Sequence, residues 1–339
     1  MRDGDIAILR GAEVRAVLTG RELELIQAVR VAYETHGDGD SSLPHSVFLP
    51  FPGQPRDRII ALPAYLGGAC PIAGVKWVSS FPENLQRGVD RASAVVILNS
   101  PQTGRPEAML EGSVISAKRT AASAALAAQS LLSCSKVGRI GMIGCGLINF
   151  EIARFLRAVF PETESFMVFD QDEARAKQFA NKKLFGGARV EVVKDVKDLL
   201  RNSPLISIAT TALTPHIGEL RECPQGSAIL HISLRDLTPD VILSCDNVVD
   251  DIDHICRAQT SVHLAEQRVG HRKFIRCTLA AILRGRTPAR NGSNFSVFSP
   301  FGLGVLDLAV AKLVRELAQQ QGLETVIGSF LPSSWAEEA

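Results

Sequence analysis

The sequence predicts an α/β protein that consists of a doubly wound domain, built on a parallel sheet, and a second domain of the α+β type. From Arg139 onwards, short apolar runs alternate with amphipathic segments, which is the pattern of βαβ units. Between residues 46 and 110, by contrast, apolar runs separated by turn residues predict antiparallel strands. We therefore expect the doubly wound domain at residues 134–305 and the α+β domain at residues 1–133 and 306–339.

The length and composition fit two compact domains. The chain has 339 residues, of which 46% are hydrophobic and 22% are charged, and 37 basic residues almost balance 36 acidic ones. This composition excludes a disordered chain and a basic nucleic-acid-binding tail. Because the net charge is only +1, a ligand that carries phosphates needs a local site rather than an overall field. A small-molecule ligand and no nucleic-acid partner are expected.

The seven cysteines form no metal or disulfide pattern. They include no CxxC pair, and no histidine lies beside them at the spacing of metal ligands, so we expect reduced thiols and no metal site. The first residues lack the basic and apolar segments of a secretion signal, and no run of about 18 apolar residues is present to span a bilayer. We expect a cytoplasmic protein that does not bind a membrane.

Local periodicity predicts the elements of the α+β domain. Residues 21–36 place apolar side chains at steps of three and four, which predicts an N-terminal helix. The five apolar runs between residues 46 and 110 predict strands. Residues 113–132 begin with a capping serine and are rich in alanine, which predicts a long helix. A last amphipathic helix, from about Val305, is expected to pack back on the N-terminal domain.

In the doubly wound domain, a glycine turn follows the first predicted strand and leads into a helix at about residues 147–159. Gly144 and Gly146 let the backbone turn sharply and approach a pyrophosphate, which the free N–H groups of the helix can bind. The third position of this dinucleotide-binding fingerprint is Asn149 rather than glycine or alanine. A tight turn without any cofactor is therefore the alternative interpretation.

An acidic residue at the end of the next strand supports the dinucleotide interpretation. Asp170 follows the apolar run at residues 164–169, where the fingerprint places a carboxylate that accepts hydrogen bonds from the adenosine ribose. The next two residues, Gln171 and Asp172, include no arginine that could neutralise a 2′-phosphate. The sequence therefore predicts NAD rather than NADP as the cofactor.

Four segments resemble the ornithine cyclodeaminase/μ-crystallin family. They are Gly-Val-Lys-Trp at residues 74–77, the run SAKRTAASAALAA around Arg119, the turn Gly-Cys-Gly-Leu-Ile at residues 144–148, and the strand HISLRD that ends at Asp236. Longer segments between residues 56 and 122 are most similar to the branch whose dehydrogenases make 2,3-diaminopropionate for siderophores and peptide antibiotics. The resemblance covers nearly the whole chain. It implies a Rossmann domain, an NAD-dependent enzyme and a homodimer built on the N-terminal domain.

The resemblance also implies which residues act on the substrate. Arg58, Lys76 and Arg119 match positions that hold the substrate carboxylate, and cations of this kind are suited to carboxylate recognition. Asp236 matches the catalytic aspartate and, with Lys76, completes the predicted catalytic pair. Taken singly, each cation is equally consistent with a solvated surface residue, and Lys76 with a buried ion pair. Asp236 is also consistent with a turn or helix-capping aspartate before Thr238.

The predicted cofactor contacts come from the glycine turn, from Asp170 and from family positions near the ends of strands. They are Ser93, Gly144, Gly146, Leu147, Ile148, Asp170, Thr210, Ser233 and Leu234.

Three further features have simpler interpretations. His231 lies in an apolar strand and is expected to be a core residue, and Cys145 is expected to be a buried filler rather than a nucleophile. The basic run at residues 268–274 is interpreted as a solvated helix face.

The resemblance implies an NAD-dependent oxidative cleavage of N-(1-amino-1-carboxy-2-ethyl)-glutamate to 2,3-diaminopropionate and 2-oxoglutarate. This substrate carries three carboxylates, and Arg87 and Arg91 add to the cations that suit it. The alternatives are an ornithine or lysine cyclodeaminase and a ketimine reductase or alanine dehydrogenase of the same family. A protein of another class, which binds a dinucleotide without catalysis, is a further alternative.

Overall fold

The computed structural model describes residues 4–69, 71–132, 136–290 and 295–332, except for the side chains of Pro55 and Leu184. The chain forms two compact units, which we call unit 1 (Met1–Arg119 with Leu303–Ala339) and unit 2 (Thr120–Gly302). The boundaries expected from the sequence, 133/134 and 305/306, lie later along the chain than these.

The chain first forms most of unit 1. Its elements, in order, are β1 (Ile6–Leu9), α1 (Gly11–Leu18), α2 (Glu22–Gly37), β2 (Ser41–Ser42), β3 (Val47–Phe51), β4 (Gln54–Leu66), β5 (Ile72–Ser80), a 3₁₀ helix (Pro82–Arg87), β6 (Ala92–Asn99), β7 (Pro106–Glu111) and α3 (Ser113–Leu131), which continues into unit 2.

Unit 2 then alternates strands and helices before the chain returns to unit 1. Its elements are β8 (Arg139–Ile143), α4 (Leu147–Val159), β9 (Ser165–Phe169), α5 (Glu173–Ala180), β10 (Arg189–Val192), α6 (Val196–Asn202), β11 (Leu205–Ile208), β12 (Ala228–His231), α7 (Pro239–Ser244), β13 (Asp246–Val249), α8 (Ile252–Ile255), α9 (Ser261–Val269), β14 (Ile275–Thr278), α10 (Leu279–Leu283) and β15 (Ser296–Ser299). The chain ends with α11 (Gly304–Gln320) and β16 (Thr325–Ile327) in unit 1.

The sheet of unit 2 has the strand order β10-β9-β8-β11-β12-β15-β13-β14, and all of its described pairs are parallel. This confirms the doubly wound α/β prediction. The strand order reverses at β8, which lies between β9 and β11. In open parallel sheets, ligands bind at the carboxyl ends of the strands beside such a switch point.

The sheet of unit 1 has the order β16-β1-β7-β6-β5-β4-β2, with β3 also paired to β4. Its strands β3 to β7 pair antiparallel, as the turn-rich sequence predicted, whereas β1 and β7 are parallel. The register aligns Leu62, Lys76 and Val96 across three strands. Because side chains alternate along a strand, these three residues share one buried face.

Helix α11 packs on this buried face, as expected for the C-terminal helix. It starts at Gly304, where a Cβ would lie 3.1 Å from the carbonyl oxygen of Leu62, so glycine permits the helix to approach the sheet closely. Leu306, Val310 and Val314 on the helix are fully buried. The helix thereby positions Asp307 against the sheet.

One sequence interpretation is wrong in part. The basic run at residues 268–274 is not one helical face, because α9 ends at Val269 and Gly270 adopts a positive φ of 71°. Arg268 pairs with Asp240, and Arg272 pairs with Asp253 and Glu266.

The cysteines that the structure describes are free thiols, namely Cys145, Cys223, Cys245, Cys256 and Cys277. Cys70 and Cys134 lie outside the described residues. Within the described residues, none of the helices has the length and apolar character to cross a membrane.

Candidate active site

The glycine turn between β8 and α4 has the geometry of a phosphate cradle. Gly144 has a φ of 90°, and a Cβ there would overlap the carbonyl group of Ala209, so only glycine fits. Gly146 precedes the helix without a side-chain cap, and a Cβ on it would meet no atom within 4 Å. The N–H groups at the start of α4, including those of Leu147 and Ile148, are therefore available to an anion.

Asn149 has a structural role that the sequence did not reveal. Its buried amide donates to the carbonyl groups of Ile143, at 2.9 Å, and Gly144, at 2.6 Å, and it accepts from Ser207 Oγ at 2.7 Å. These bonds hold the turn against β8 and β11. Asn149, which stands where the fingerprint has glycine or alanine, thus stabilises the turn.

Asp170 lies at the end of β9, beside the glycine turn. One of its carboxylate oxygens accepts from the Cys145 N–H at 2.8 Å and the other from the Asp172 N–H at 2.9 Å. Since a carboxylate can accept about four hydrogen bonds, Asp170 retains capacity for ribose hydroxyls. Burial and the charge of Asp170 raise the pKa of Cys145 to about 12, so this thiol is a poor nucleophile, as expected.

These groups line one cavity of about 500 Å³ at the switch point of the sheet. Its wall includes Gly144, Gly146, Asp170 and Thr210, four of the predicted cofactor contacts. Arg175 also lines the cavity, although no sequence motif marks it. Its guanidinium group lies 3.6 Å from Asp172, and both side chains are about half exposed.

Asp236 is fully buried behind this edge of the sheet. Thr210 Oγ1 and Ser233 Oγ both donate to its carboxylate. Thr238, not Asp236, caps α7 by accepting from the Val241 N–H, which excludes the capping alternative. Leu234, in the same turn, has a positive φ of 69°, a strained conformation for a residue other than glycine.

His231 lies next to Asp236, a contact that the sequence argument missed. Its Nε2 accepts from the Asp236 N–H at 3.2 Å and lies 3.4 Å from the carboxylate, while Nδ1 lies 3.2 Å from Ser299 Oγ. This network places the ring proton on Nδ1. His231 is thus a buried residue with satisfied hydrogen bonds, as expected, but it also positions the predicted catalytic carboxylate.

The surroundings keep Asp236 ionised. Burial acts to raise the pKa of Asp236, but the hydroxyl groups of Ser233 and Thr210, which donate to its carboxylate, act to lower it, and that pKa lies below its ordinary value. Burial lowers the pKa of His231. At neutral pH the pair therefore consists of an ionised carboxylate and a neutral imidazole.

In unit 1, Lys76 and Arg119 meet at a third residue, Asp307. Lys76 Nζ lies 2.6 Å from one oxygen of Asp307 and 3.2 Å from Ser116 Oγ, and Arg119 Nε lies 2.9 Å from the other oxygen of Asp307. Lys76 is 2% exposed, Arg119 is 9% exposed and Asp307 is fully buried. The buried-ion-pair interpretation of Lys76 is therefore correct, but the cluster contains two cations and one carboxylate.

The cluster carries one excess positive charge, which suits the binding of an anion. A buried charge without a partner is costly, and the second cation is compensated when a carboxylate binds. Burial and the nearby Arg119 lower the pKa of Lys76 to about 8, although Asp307 acts to raise it. Lys76 is therefore mostly protonated at neutral pH.

The remaining predicted residues of unit 1 lie outside this cluster. Arg58 shares the sheet face of Lys76 but is paired with Ser80, four residues from Lys76, or about 13 Å along the strand. Ser93 lies on the opposite face, where its hydroxyl group is 2.8 Å from Ser79 Oγ. Its contact with the cofactor stays a prediction.

Known proteins resemble the chain over almost its whole length. The N-((2S)-2-amino-2-carboxyethyl)-L-glutamate dehydrogenase of Staphylococcus aureus is 29% identical over 318 residues, which cover 90% of this chain and 93% of that protein. An archaeal alanine dehydrogenase, solved as a dimer with bound NAD, is 26% identical, with a TM-score of 0.85 over 95% of this chain and 99% of that one.

A third similar structure is the Δ1-pyrroline-2-carboxylate reductase of Thermococcus litoralis, solved with NADH and L-proline. It is 24% identical, with a TM-score of 0.87 over 94% of this chain and 99% of that one, and it supports the fold. The sequence model of the ornithine cyclodeaminase/mu-crystallin family matches residues 7–322. The chain therefore belongs to the ornithine cyclodeaminase/mu-crystallin family.

Proposed function

We propose that the protein is an NAD-dependent dehydrogenase that cleaves N-(1-amino-1-carboxy-2-ethyl)-glutamate at a C–N bond. The reaction consumes the conjugate, NAD and water, and gives 2,3-diaminopropionate, 2-oxoglutarate, NADH and a proton. The observation that carries the proposal is the buried Lys76–Arg119–Asp307 cluster, because its uncompensated positive charge suits the carboxylate of an amino acid. The relative from Staphylococcus aureus supports this particular conjugate.

The cavity of unit 2 fits a dinucleotide. The pyrophosphate can approach the turn at Gly144 and Gly146, which carry no side chains, and the N-terminus of α4. Asp170 is placed to accept hydrogen bonds from the adenosine ribose. The negative charge of Asp170 disfavours a 2′-phosphate, and for this reason we propose NAD as the cofactor. When bound, NAD accepts the hydride that leaves the substrate carbon.

Lys76 and Arg119 bind and orient the substrate carboxylate. Their positions are fixed before the substrate arrives, because Asp307 holds both groups by charge-assisted hydrogen bonds. A preorganised cation pair loses little freedom on binding and can hold the reacting carbon in one orientation. We assign Lys76 to the catalytic set on this basis.

Asp236 supplies a negative charge, opposite to that of Lys76 and Arg119. Its ionised carboxylate stabilises the positive charge that develops on the C=N group of the substrate, and it accepts a proton from the water that adds to this group. Thr210 and Ser233 hold the carboxylate in place by donating to its two oxygens. Collapse of the adduct then breaks the C–N bond and releases the two products.

An amino-acid dehydrogenase of another specificity is the second candidate. The archaeal alanine dehydrogenase, at 26% identity, favours it. The same carboxylate site and the same proton acceptor serve that reaction, so substrate comparison must separate the two.

The experiment that tests the proposal supplies purified protein with NAD and the conjugate. We expect steady formation of NADH, with 2-oxoglutarate and diaminopropionate released in equal amounts. Ornithine, tested in parallel, should give neither ammonia nor proline. Proline formation from ornithine without net NADH would establish a cyclodeaminase instead, and NADH formation from alanine alone would establish the second candidate.

We also propose that the protein is a homodimer that pairs through the sheet face opposite to Lys76. Tyr65, Trp77 and Met109 on this face are 37%, 43% and 38% exposed, which is unusual for such large apolar side chains on one face of a sheet. A Trp77→Glu variant should therefore be monomeric by light scattering, whereas Leu23→Glu, a control on the exposed side of α2, should remain dimeric. A monomeric wild type would contradict the proposal.

A further inference from the structure

Three arginines lie at one end of the sheet of unit 1. Arg58 on β4 is paired with Ser80 on β5, and Ser80 is paired with Ala92 on β6. Arg91 directly precedes Ala92, and its carbonyl group accepts from the Phe81 N–H at 2.8 Å. Arg56 lies two residues before Arg58, in the part of β4 where the pairing with β3 is irregular, and it is exposed. We call these residues the arginine cluster.

The arginine cluster lacks counter-ions within the part of the chain that the structure describes. None of its three guanidinium groups lies within 4 Å of a described carboxylate, although Asp57 and Asp90 are close in sequence. Arg58 Nε is buried and makes no hydrogen bond in the structure. An unsatisfied buried donor is energetically costly, and a ligand that accepts from it removes this cost.

The charges of the cluster also act on one another. Burial, together with the charges of Arg58 and Arg56, lowers the pKa of Arg91. The positive charges of Arg56 and Arg58 thus disfavour the charged form of Arg91. A bound anion relieves this repulsion.

We propose that Arg56, Arg58 and Arg91 form a second anion subsite, which binds a distal carboxylate of the substrate. Guanidinium groups bind carboxylates through two parallel hydrogen bonds, which gives both charge and orientation. Arg58 lies on the same sheet face as Lys76, about 13 Å along the strand, a separation that suits a ligand with carboxylates several bonds apart. Ornithine and lysine carry an ammonium group at their far end, and the cluster repels it.

This inference rests on the proposed function for the identity of the anion. It defines the substrate class as amino acids with at least one carboxylate beyond the one that Lys76 and Arg119 bind. Arg87 does not belong to the cluster, because it lies on the exposed 3₁₀ helix and does not contribute to the environment of Arg91. It therefore provides a control of equal charge.

The first test compares Arg56→Gln, Arg91→Gln and the control Arg87→Gln in steady-state kinetics with the conjugate. We expect KM for the conjugate to rise about tenfold or more in the first two variants, because each loses a charge-assisted pair, and to stay unchanged in the control. Arg91→Lys should recover part of the loss, since it restores the charge without the paired donors. Equal KM values in all variants would overturn the inference.

The second test measures binding and does not depend on turnover. 2-Oxoglutarate and pyruvate share a 2-oxo acid group, but only the former has a distal carboxylate. 2-Oxoglutarate should bind the wild-type protein more tightly than pyruvate in calorimetry with NADH present, and Arg91→Gln should remove the difference.

The two tests separate the inference from the proposed function. If the wild type does not oxidise the conjugate but still prefers 2-oxoglutarate through Arg91, the proposed reaction fails and the subsite stands. If both oxo acids bind equally, the subsite is wrong even when the conjugate is oxidised. If Arg91→Gln weakens NAD binding alone, the cluster binds cofactor phosphates and the inference is overturned.

Discussion

Asp307 in unit 1 and Asp236 in unit 2 are both fully buried carboxylates, yet their surroundings have opposite charge. Asp307 contacts the cations Lys76 and Arg119, which leaves its cluster with one excess positive charge. Asp236 contacts two hydroxyl groups and a neutral imidazole, which leaves its cluster with one excess negative charge.

The difference shows how similar side chains acquire different roles. Both oxygens of Asp307 accept from cationic donors, so this residue holds cations in place and leaves the anion site to them. Asp236 keeps an uncompensated charge that can stabilise a cation or accept a proton. Burial alone therefore does not distinguish these two carboxylates, whereas the net charge of their neighbours does.

The largest expected effect is on stability, in Asp307→Ala. Removing this carboxylate leaves two buried cations without a partner, which should lower the free energy of unfolding by about 3–5 kcal/mol in urea denaturation. Glu316→Ala on the same helix is the control. Its half-exposed pair with Lys312 should contribute less than about 1 kcal/mol. If both variants lose the same free energy of unfolding, Asp307 does not hold the two cations in place. Asp307→Asn is the milder variant to measure if Asp307→Ala does not fold.

The next effect is on catalysis, in Asp236→Asn. We expect kcat to fall about 10²-fold, a loss of about 2.7 kcal/mol in transition-state stabilisation, because the amide cannot accept the proton. The dissociation constant of NAD should stay within about twofold. Asp240→Asn, at an exposed pair with Arg268, is the control and should keep full activity. Unchanged turnover in Asp236→Asn would remove this residue from the mechanism.

The contrast between the two carboxylates also shows what the sequence reveals. The strands β8 and β9 and the helix α4 were predicted because the periodicity of apolar residues and the positions of turn residues are local signals. Helix α4 begins at Leu147, directly after the glycine turn, as predicted. Asp236 was identified through its family motif. Asp307 was not identified, because one aspartate in an amphipathic helix resembles the polar face of that helix. Only the packing of α11 on β5 shows that it points inward.

Contacts that join distant segments were missed for the same reason. His231 was correctly predicted as a core residue, but its bond to Asp236 depends on how the turn after β12 folds back. The strands β14 and β15 were not predicted, since their four-residue runs are too short to show a period. A family motif locates a residue in the sequence, whereas the contacts of that residue follow from the tertiary structure.

A rise in pH removes the excess positive charge of the Lys76 cluster, because Lys76 loses its proton. Because the pKa of Lys76 is about 8, kcat/KM for the conjugate should fall about tenfold per pH unit above that value, as the cation needed for binding is lost. Stability should change in the opposite direction. The unfolded chain, with a lysine pKa of 10.5, binds more protons between pH 8 and 10.5, so the free energy of unfolding should rise there.

Lys76→Arg provides the matched variant, because a guanidinium group stays charged throughout this range. Its kcat/KM is expected to be lower at pH 7 but without the fall above pH 8. A wild-type profile that is flat to pH 10 would show that the charge of Lys76 is not required.

The smallest expected effect concerns Asp170, which lines the cavity of unit 2 and, among the described residues, accepts hydrogen bonds from the backbone N–H groups of Cys145 and Asp172. Its charge is uncompensated, like that of Asp236, but it faces the proposed adenosine ribose instead of the reacting atoms. In Asp170→Ala, a hydrogen bond to the ribose and a repulsion toward a 2′-phosphate disappear together. We therefore expect the preference for NAD over NADP to shrink by about 1 kcal/mol or more, measured as the ratio of kcat/KM values, with kcat for NAD little changed.

Asp172→Ala is the matched variant. It removes the partner of Arg175, a cation on the same cavity wall, so kcat/KM for NADP should rise, while the contact between Asp170 and the ribose stays intact. A wild type that prefers NADP, or an Asp170→Ala variant with an unchanged ratio, would show that the carboxylate does not select the cofactor.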